Sequence, residues 1–222
     1  MVNVNKLLGS ILSSGAATGF IGGLAGGMAS NMVKGKTVKK IGANALKVGG
    51  VAAVGALAYT AYKRYSDNQT SATPQHQDVN PNELSLPPEG SAFLPSKNDT
   101  VATDELGLVL VRAMIAAARS DGRLDAQESQ AIFQRIETLG LDSESQNLLV
   151  QEMGHPVDMD SIVNSASSPE VAAEIYIASL LAIDIDTTAE KAYLAMLAAR
   201  LQLPPPLVLE LEQQVSAHKQ VA

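Results

Sequence analysis

The stretch from Ser168 to Ala182 reads SPEVAAEIYIASLLA, and it sets the fold class of the chain. A serine followed by a proline is a strong helix start, because the serine caps the first turn and proline is favoured at the first helical position. Apolar side chains then recur at helical spacing at Val171, Ile175, Ala178 and Ala182. The stretch therefore predicts an amphipathic helix with one face toward a core.

Residues 101–222 repeat this type of signal along their length. Apolar spacing predicts a helix from Leu106 to Ala117 and another from Leu207 to about Ala217. The other predicted helices carry Ile132, Phe133, Ile136 and Leu139, or begin at Asp142, at Asp158 or Asp160, at Ser168, and at Thr187 or Thr188. No stretch reads as a strand. The fold class is therefore predicted to be all-α, with a C-terminal bundle of about seven helices that buries its own core.

Charge divides the chain into two unequal parts. Residues 1–64 hold seven Lys, one Arg and no acid, whereas residues 65–222 hold 8 basic and 23 acidic residues; the whole chain has a net charge of −7. The acidic part repels phosphate backbones, so no nucleic-acid partner is expected. The chain has no Cys, which excludes disulfides, thiolate catalysis and cysteine-based zinc sites.

The basic N-terminal part is also strongly apolar. The run from Leu7 to Val33 is uncharged over 27 residues, and the run from Ile41 to Tyr62 is interrupted only by Lys47. Lysines lie between the runs and tyrosines end the second, as is typical of membrane interfaces. A helix spans a bilayer with about 20 apolar residues. We therefore predict a membrane anchor at residues 1–65 that contacts lipid, with Ala43–Tyr62 as the stronger span.

Glycines form a regular pattern in the first apolar run. Gly15, Gly19, Gly23 and Gly27 recur every four residues, which places a smooth stripe on one helix face where two backbones can approach closely. The second run repeats the theme at Gly42, Gly49, Gly50 and Gly55. The stripe predicts self-association of the chain through a glycine zipper.

Residues 66–100 have the composition of a linker. They hold five prolines among Asn, Gln, Ser, Thr and Asp, and they show no apolar period. Such a composition does not support a core of its own. The sequence therefore predicts a flexible, disordered linker at 66–100 and a separate helical domain at 101–222.

Two acidic turns carry the chemical signal of the chain. The first runs from Asp121 to Glu128 and the second from Asp184 to Glu190, each after an apolar helix. Clustered carboxylates suit a hard divalent cation, Ca²⁺ or Mg²⁺, and the same residue types cap helix N-termini. The candidate metal ligands are Asp121, Asp125, Glu128, Asp184, Asp186 and Glu190. Both the metal site and the capping role stay open at this level.

Basic residues near the first turn offer a third way to balance its charge. Arg112, Arg119 and Arg123 lie close to it in sequence and could neutralise its carboxylates. No pattern supplies a nucleophile beside a base, a phosphate loop or a catalytic histidine. The chain is therefore not expected to be an enzyme, and no catalytic residue is predicted.

The first acidic turn also carries a family resemblance. The segment from Ala116 to Glu128, AAARSDGRLDAQE, resembles the TerB-like, tellurite-resistance-type helical domains, as does the region from Ala182 to Leu197. A glycine-rich segment, a linker and such a domain in this order are similar to the YebE-like inner-membrane proteins of Gram-negative bacteria. The resemblance implies a TerB-like bundle, an acidic surface proposed to bind metal, and a place in the bacterial inner membrane, with the side of the C-terminal domain left open.

These features together predict a membrane-anchored helical binding or scaffold module, cation-responsive and linked to envelope or metal stress, with a protein partner still to be identified. Two other functions stay open. The first is a soluble cation-binding regulator whose N-terminal segment packs on a partner instead of lipid. The second is a carboxylate-dependent metallohydrolase, which would need a deep pocket between the acidic turns.

Overall fold

A computed structural model describes residues 3–13, 50–70, 85–120, 142–156, 158–183 and 185–221. The helices in these ranges are α1 (Val4–Ser13), α2 (Gly50–Thr70), α3 (Thr100–Ala118), α4 (Ser143–Gly154), α5 (Met159–Asn164), α6 (Pro169–Ala182), α7 (Thr188–Arg200) and α8 (Pro205–Val221). Within these ranges there is no β-strand, and one isolated bridge joins Ser91 to Leu94. The predicted all-α class is confirmed for this part of the chain.

The helix starts follow the predicted capping chemistry. Asp142 accepts a hydrogen bond from the Ser145 N–H at 2.9 Å, and Asp158 caps α5. Ser168 accepts from the N–H of Val171 at 3.3 Å, with Pro169 at the first helical position of α6. These three starts are confirmed, because a cap depends on neighbours in sequence that are visible without the fold.

Two helices begin earlier than predicted. Helix α3 begins at Thr100, where the Asp99 side chain accepts from the Ala102 N–H at 3.0 Å. Helix α8 begins at Pro205, within the prolines that were expected to separate helices. Prolines are tolerated in a first helical turn, since the N–H groups that they lack have no helical acceptor there.

Helix α6 lies at the centre of the core. It contacts α2, α3, α7 and α8, and every residue from Ala172 to Ala182 is buried. The prediction of a single inward face was therefore wrong: Glu174 and Ser179 are as buried as Ile175, with 0% exposure. A helix that neighbours surround on all sides has no solvent face.

The N-terminal helices belong to the same core. Helix α1 contacts α2 and α3, and α2 contacts α6 and α8. The apolar residues of α2 from Val51 to Ala61 are nearly all buried, with Val51, Val54 and Ala61 at 0% exposure. Other helices therefore cover the apolar side chains of α2 that a lipid anchor would expose to lipid. The domain boundary at residue 65 stays a prediction.

The predicted membrane spans are only partly within the described residues. None of the helices in the described ranges is both long enough and apolar enough to cross a bilayer. Residues 14–49, which include the glycine stripe at Gly15, Gly19, Gly23 and Gly27, lie outside those ranges. The anchor and the self-association through this stripe remain predictions.

Glycines of the second run make close contacts inside the chain. A Cβ atom on Gly50 would lie 2.2 Å from the Gly9 backbone nitrogen and 2.4 Å from the Leu8 carbonyl carbon. Next to this crossing, the Val51 N–H donates to Asn5 Oδ1 at 3.1 Å. At Gly50 the two backbones therefore approach closely within one chain, between α1 and α2, whereas Gly42 and Gly49 lie outside the described residues.

Part of the predicted linker has defined contacts. Residues 66–70 continue α2, and residues 85–99, here called the strap, cross the helical body. The strap buries Phe93, whose ring lies 5.6 Å from the Tyr59 ring and 5.5 Å from the Tyr62 ring. These tyrosines, predicted to lie at a membrane interface, thus contact a protein aromatic ring. Residues 71–84 lie outside the described ranges.

Candidate functional site

The structure describes two of the six predicted metal ligands. Asp121, Asp125, Glu128 and Asp184 lie outside the described ranges. Asp186 is exposed and Glu190 is buried, at the start of α7. No cluster of three or more His, Asp or Glu side chains suited to a metal ion occurs within the described ranges. The distance between the two acidic turns is therefore not defined by the described residues, and the metal site remains a prediction.

Glu190 forms a capping box at the N-terminus of α7. Its Oε2 accepts from the N–H of Thr187 at 2.9 Å and of Asp186 at 3.2 Å, while the Thr187 hydroxyl oxygen accepts from the Glu190 N–H at 3.1 Å. Burial opposes the charge of Glu190, but these hydrogen bonds outweigh burial and lower its pKa. The capping role that the sequence left open is present at this residue.

A polar concave surface lies between α3, α4 and α5. This cavity of about 250 Å³ is called the arginine cleft, and it is lined by Arg112, Ile115, Ala116, Arg119, Glu152, His155, Pro156, Asp158, Ser161 and Ile162. Arg112 lies on α3 and Arg119 is its C-cap residue; seven residues separate them, which places them on one side of the helix. The end of α4 and the Asp158 cap of α5 bring the carboxylates and the imidazole opposite them.

Arg112 and Glu152 form the main ion pair of the cleft. The Arg112 Nε donates to Glu152 Oε2 at 2.7 Å and its Nη2 donates to Oε1 at 2.9 Å. The two parallel bonds give the planar geometry of a strong guanidinium–carboxylate pair. The hydrogen bonds from Arg112 lower the pKa of Glu152, although burial raises it. Glu152 is therefore held ionised in a mostly buried position.

Arg119 holds the end of α4. Its Nη1 donates to the carbonyl of Met153 at 3.1 Å and to that of His155 at 2.7 Å. A cation at this point satisfies terminal carbonyls and meets the negative end of the helix dipole. The Arg119 Nε is buried and has no acceptor among the residues that the structure describes. Arg119 is thus a structural cation whose Nε–H has no acceptor among the described residues.

His155 completes the polar wall. Its Nδ1 lies 3.9 Å from Glu152 Oε2, and its side chain is more than half exposed. The two arginines and the two carboxylates that line the cleft balance in formal charge. The cleft therefore offers several fixed hydrogen-bonding groups without a strong net field, which suits one polar group of a partner or small ligand.

The sequence analysis identified the two arginines of this cleft but not the acid that pairs with Arg112. It named Arg112 and Arg119 as cations for the acidic turns, whereas the structure gives them to Glu152 and to the carbonyls at the end of α4. It did not name Glu152, which is 40 residues from Arg112. The usable signal was the spacing of the two arginines on one face of α3. Arg123 lies outside the described residues.

The fold and the cleft together define an all-α protein with a central buried helix and a small mixed-charge cleft. The chain belongs to the DUF533 family, which is described as proteins of unknown function; the family model matches residues 18–215. This match includes most of the glycine-rich segment, the helices from α2 to α7 and most of α8, while α1 lies outside it.

One curated relative is an "Uncharacterized protein in ampR 5'region" of Yersinia enterocolitica. It is 31% identical to this chain over 111 residues, which are 50% of this chain and 80% of the relative. No solved structure matches the chain. The family is thus shown by sequence, and its description supplies no activity.

Proposed function

We propose that the chain is a membrane-anchored helical binding module of the bacterial inner membrane. Residues 14–49 are its anchor, and the arginine cleft with the first acidic turn is its binding surface. The TerB-like resemblance supports the second part, and the uncharged run up to Val33 supports the first. The module is proposed to bind and hold a partner rather than to catalyse a reaction.

The proposal rests on the two helices that flank residues 14–49, which contact each other. Helix α1 leads into this segment and α2 follows it, and the two helices meet at Gly9 and Gly50. A segment that leaves and re-enters one helical body must enter and leave a membrane by the same face. The proposal therefore has both flanking helices and the C-terminal helices on one side of the membrane.

The sequence of the segment fits a shallow insertion. Residues 14–33 are uncharged, whereas Lys34, Lys36, Lys39 and Lys40 follow in its second half. Two full antiparallel spans require about 20 residues each, which is more than the segment offers once α2 has begun. A hairpin in one leaflet with its lysines at anionic headgroups satisfies both the length and the charge.

The test replaces residues 14–49 by a short Gly/Ser linker and measures membrane association by cell fractionation and carbonate extraction. We expect the full chain to stay with membranes and the variant to leave them, with the helical circular dichroism of the body retained. The matched control replaces residues 71–84 instead, which should leave the chain in the membrane fraction. Carbonate release of the full chain, or membrane retention of the variant, contradicts the proposed anchor.

A reporter fused after Ala222 and another fused before Met1 test the shared side. We expect both reporters to give the same result, because α1 and α8 belong to one helical body. Opposite results contradict an entry and exit by the same face. The reporters also determine the side, which the sequence left open.

The cation response is the second part of the proposal. It depends on Asp121, Asp125 and Glu128, which in sequence follow the end of α3 at Ala118 and precede the start of α4 at Ser143. Calorimetric titration of the full chain with Ca²⁺ and Mg²⁺ should show binding that the triple variant Asp121→Asn, Asp125→Asn, Glu128→Gln loses. Glu105→Gln, an exposed acid on α3 that is not among the candidate ligands, is the matched control. Absence of heat and of a melting shift contradicts the cation response.

The burial of α1 and α2 favours a second candidate function. Apolar residues such as Leu7, Leu8 and Val54 are at 0% exposure against other helices, so part of the predicted anchor packs on protein. A soluble cation-binding regulator would use the rest of that segment on a partner. The carbonate extraction distinguishes the two, since release from the membrane fraction supports the regulator.

A further inference from the structure

A buried carboxyl group that no charge pair uses lies at the centre of the fold. Glu174, in the middle of α6, has 0% exposure. Neither of its carboxyl oxygens has a hydrogen-bond partner among the residues that the structure describes. An ionised carboxylate in such a place loses its hydration without compensation, which is among the most costly arrangements in a protein interior.

The carboxyl group lies where the strap crosses α2 and α6. A Cβ atom on Gly55 would lie 3.0 Å from Glu174 Oε1 and 2.3 Å from the carbonyl oxygen of Phe93. The missing side chain of Gly55 thus makes room for both oxygens. Both oxygens thus lie beside the same point of α2, where a proton on the Glu174 carboxyl group would allow a hydrogen bond to the Phe93 carbonyl.

The strap is attached to the helical body at a few points. The Ser85 N–H donates to the Thr60 hydroxyl at 3.1 Å, and that hydroxyl donates to the carbonyl of Ala56 on α2 at 2.7 Å. Phe93 packs its ring edgewise against two tyrosines of α2. The strap has no helix of its own, and its internal bonds are short-range turns such as that from the Leu94 N–H to the Ser91 carbonyl. Its position therefore depends strongly on what lies beneath Phe93.

The charges near Glu174 favour its neutral form. Burial raises the pKa of Glu174 well above the ordinary 4.5, and the negative Glu170, one turn earlier on α6, raises it further. On α2, Lys63 and Arg64 lie two turns or more beyond Gly55. No basic group on α2 is therefore close enough in the helix to replace the missing proton.

The other elements direct their charges elsewhere. Within the strap, Lys97 and Glu89 pair with each other at 3.3 Å. On the helices that contact α6, Arg112 of α3 binds Glu152, and Glu212 of α8 accepts from the Tyr176 hydroxyl at 2.9 Å. The charge state of Glu174 thus depends on solvent pH rather than on a neighbouring cation.

We propose that Glu174 is a proton-operated latch for the strap. The neutral acid donates its O–H to the Phe93 carbonyl and holds the strap against α2 and α6. When the carboxyl group loses its proton to solvent water, the carboxylate repels that carbonyl and draws water, and the strap opens. Opening exposes the faces of Tyr59 and Tyr62 that Phe93 covers. The latch depends on neither the anchor nor the arginine cleft.

The test is hydrogen exchange of the full-length protein, followed by mass spectrometry on peptides that cover Ser85–Asp99. Protection factors are measured from about pH 5 to about pH 9, a range that includes documented values for buried glutamates. Above the titration of Glu174, the protection factor of the strap should fall about tenfold per pH unit. Peptides of α7 serve as the internal control and should keep their protection.

The isosteric Glu174→Gln isolates the proton. Its amide group donates to the Phe93 carbonyl at every pH, so we expect the strap to stay protected across the range. Glu174→Met provides a second neutral variant of similar size, whose strap protection should be weaker and equally independent of pH. Strap protection in the unmodified protein that does not change up to about pH 9, or a loss of equal slope in either neutral variant, overturns the proposal.

Discussion

Glu152 in the arginine cleft and Glu174 beneath the strap are both buried glutamates, with exposures of 8% and 0%, but their surroundings act on them in opposite directions. Hydrogen bonds from Arg112 lower the pKa of Glu152, whereas burial without a donor raises the pKa of Glu174. The neighbouring helix causes this difference, because α3 places a guanidinium beside Glu152, whereas α2 places a glycine without a side-chain donor beside Glu174. Burial alone therefore does not determine the charge of an acid; its partner does.

The largest expected effect is on the pH dependence of stability. The pKa of Glu174 is higher in the folded state than in the unfolded state. Its contribution to the free energy of unfolding is therefore fully present below the unfolded-state pKa and is lost as the pH rises toward the folded-state pKa. Relative to Glu174→Gln, the unmodified protein should lose about 1.4 kcal/mol of unfolding free energy per pH unit in that window. Urea unfolding of both proteins at several pH values measures this slope. Parallel pH profiles for the two proteins would contradict the neutral form of Glu174.

The second prediction removes the hydrogen-bond donors of Glu152, so that its carboxyl group lacks a partner as that of Glu174 does. Arg112→Ala leaves the Glu152 carboxylate without its fork of donors, and we expect a loss of about 2 kcal/mol, below the 3–5 of a fully buried pair because the arginine is partly exposed. The pKa of Glu152 is lower in the folded state than in the unfolded state. Its ion pair therefore stabilises the fold at pH values above the unfolded-state pKa, and this stabilisation is lost as the pH falls through the folded-state pKa. The variant should therefore lack that acid-dependent loss when it is unfolded in urea.

Two comparisons control the arginine experiment. Arg200→Ala removes the exposed pair with Asp160 and should change the unfolding free energy by less than about 0.5 kcal/mol. The double variant Arg112→Ala, Glu152→Gln should recover much of the loss, since no buried charge is then left unpaired. An equal loss in the double variant would mean that Arg112 acts by packing rather than by pairing.

A smaller effect is expected from filling the space beside Glu174. Gly55→Ala should cost about 1 kcal/mol, because the added carbon meets the Phe93 carbonyl, while alanine itself favours the helix. The matched control is Gly154→Ala, where nothing lies within 4 Å of the added carbon. That variant should be neutral or more stable by up to about 1 kcal/mol. Equal melting temperatures for the two variants would contradict the close approach at Gly55.

The same comparison shows what could be predicted from the sequence. Helix starts at Asp142, Asp158, Ser168 and Thr187 were predicted correctly, because a cap and its N–H groups are within three residues of each other. The partners of Arg112 and Glu174 depend on helices distant in sequence. Glu170 and Glu174 look alike in the sequence of α6, and only the positions of α2 and the strap distinguish them.

The N-terminal part shows a second limit. The apolar run of α2 has the composition of a membrane span, yet its side chains lie in a protein core. Lipid and a protein core favour the same apolar residues, so composition alone does not distinguish them. The packing of Phe93 was likewise not predictable from the sequence. A single aromatic residue among prolines has no hydrophobic periodicity, yet its contacts with α2 hold the strap in place.

The smallest expected effect concerns the acidic turn at α7 and tests a third carboxylate. Glu190 accepts two backbone N–H groups and the Thr187 hydroxyl, and Gln at this position of a capping box accepts the same bonds. In the presence of a chelator, Glu190→Ala should cost about 1 kcal/mol and Glu190→Gln less than about 0.5 kcal/mol. Thermal unfolding of both variants, with the exposed Asp186→Asn as a neutral control, measures the difference. If Gln costs as much as Ala, the charge of Glu190 rather than its hydrogen bonds stabilises the turn, and the capping box does not account for the burial of this acid.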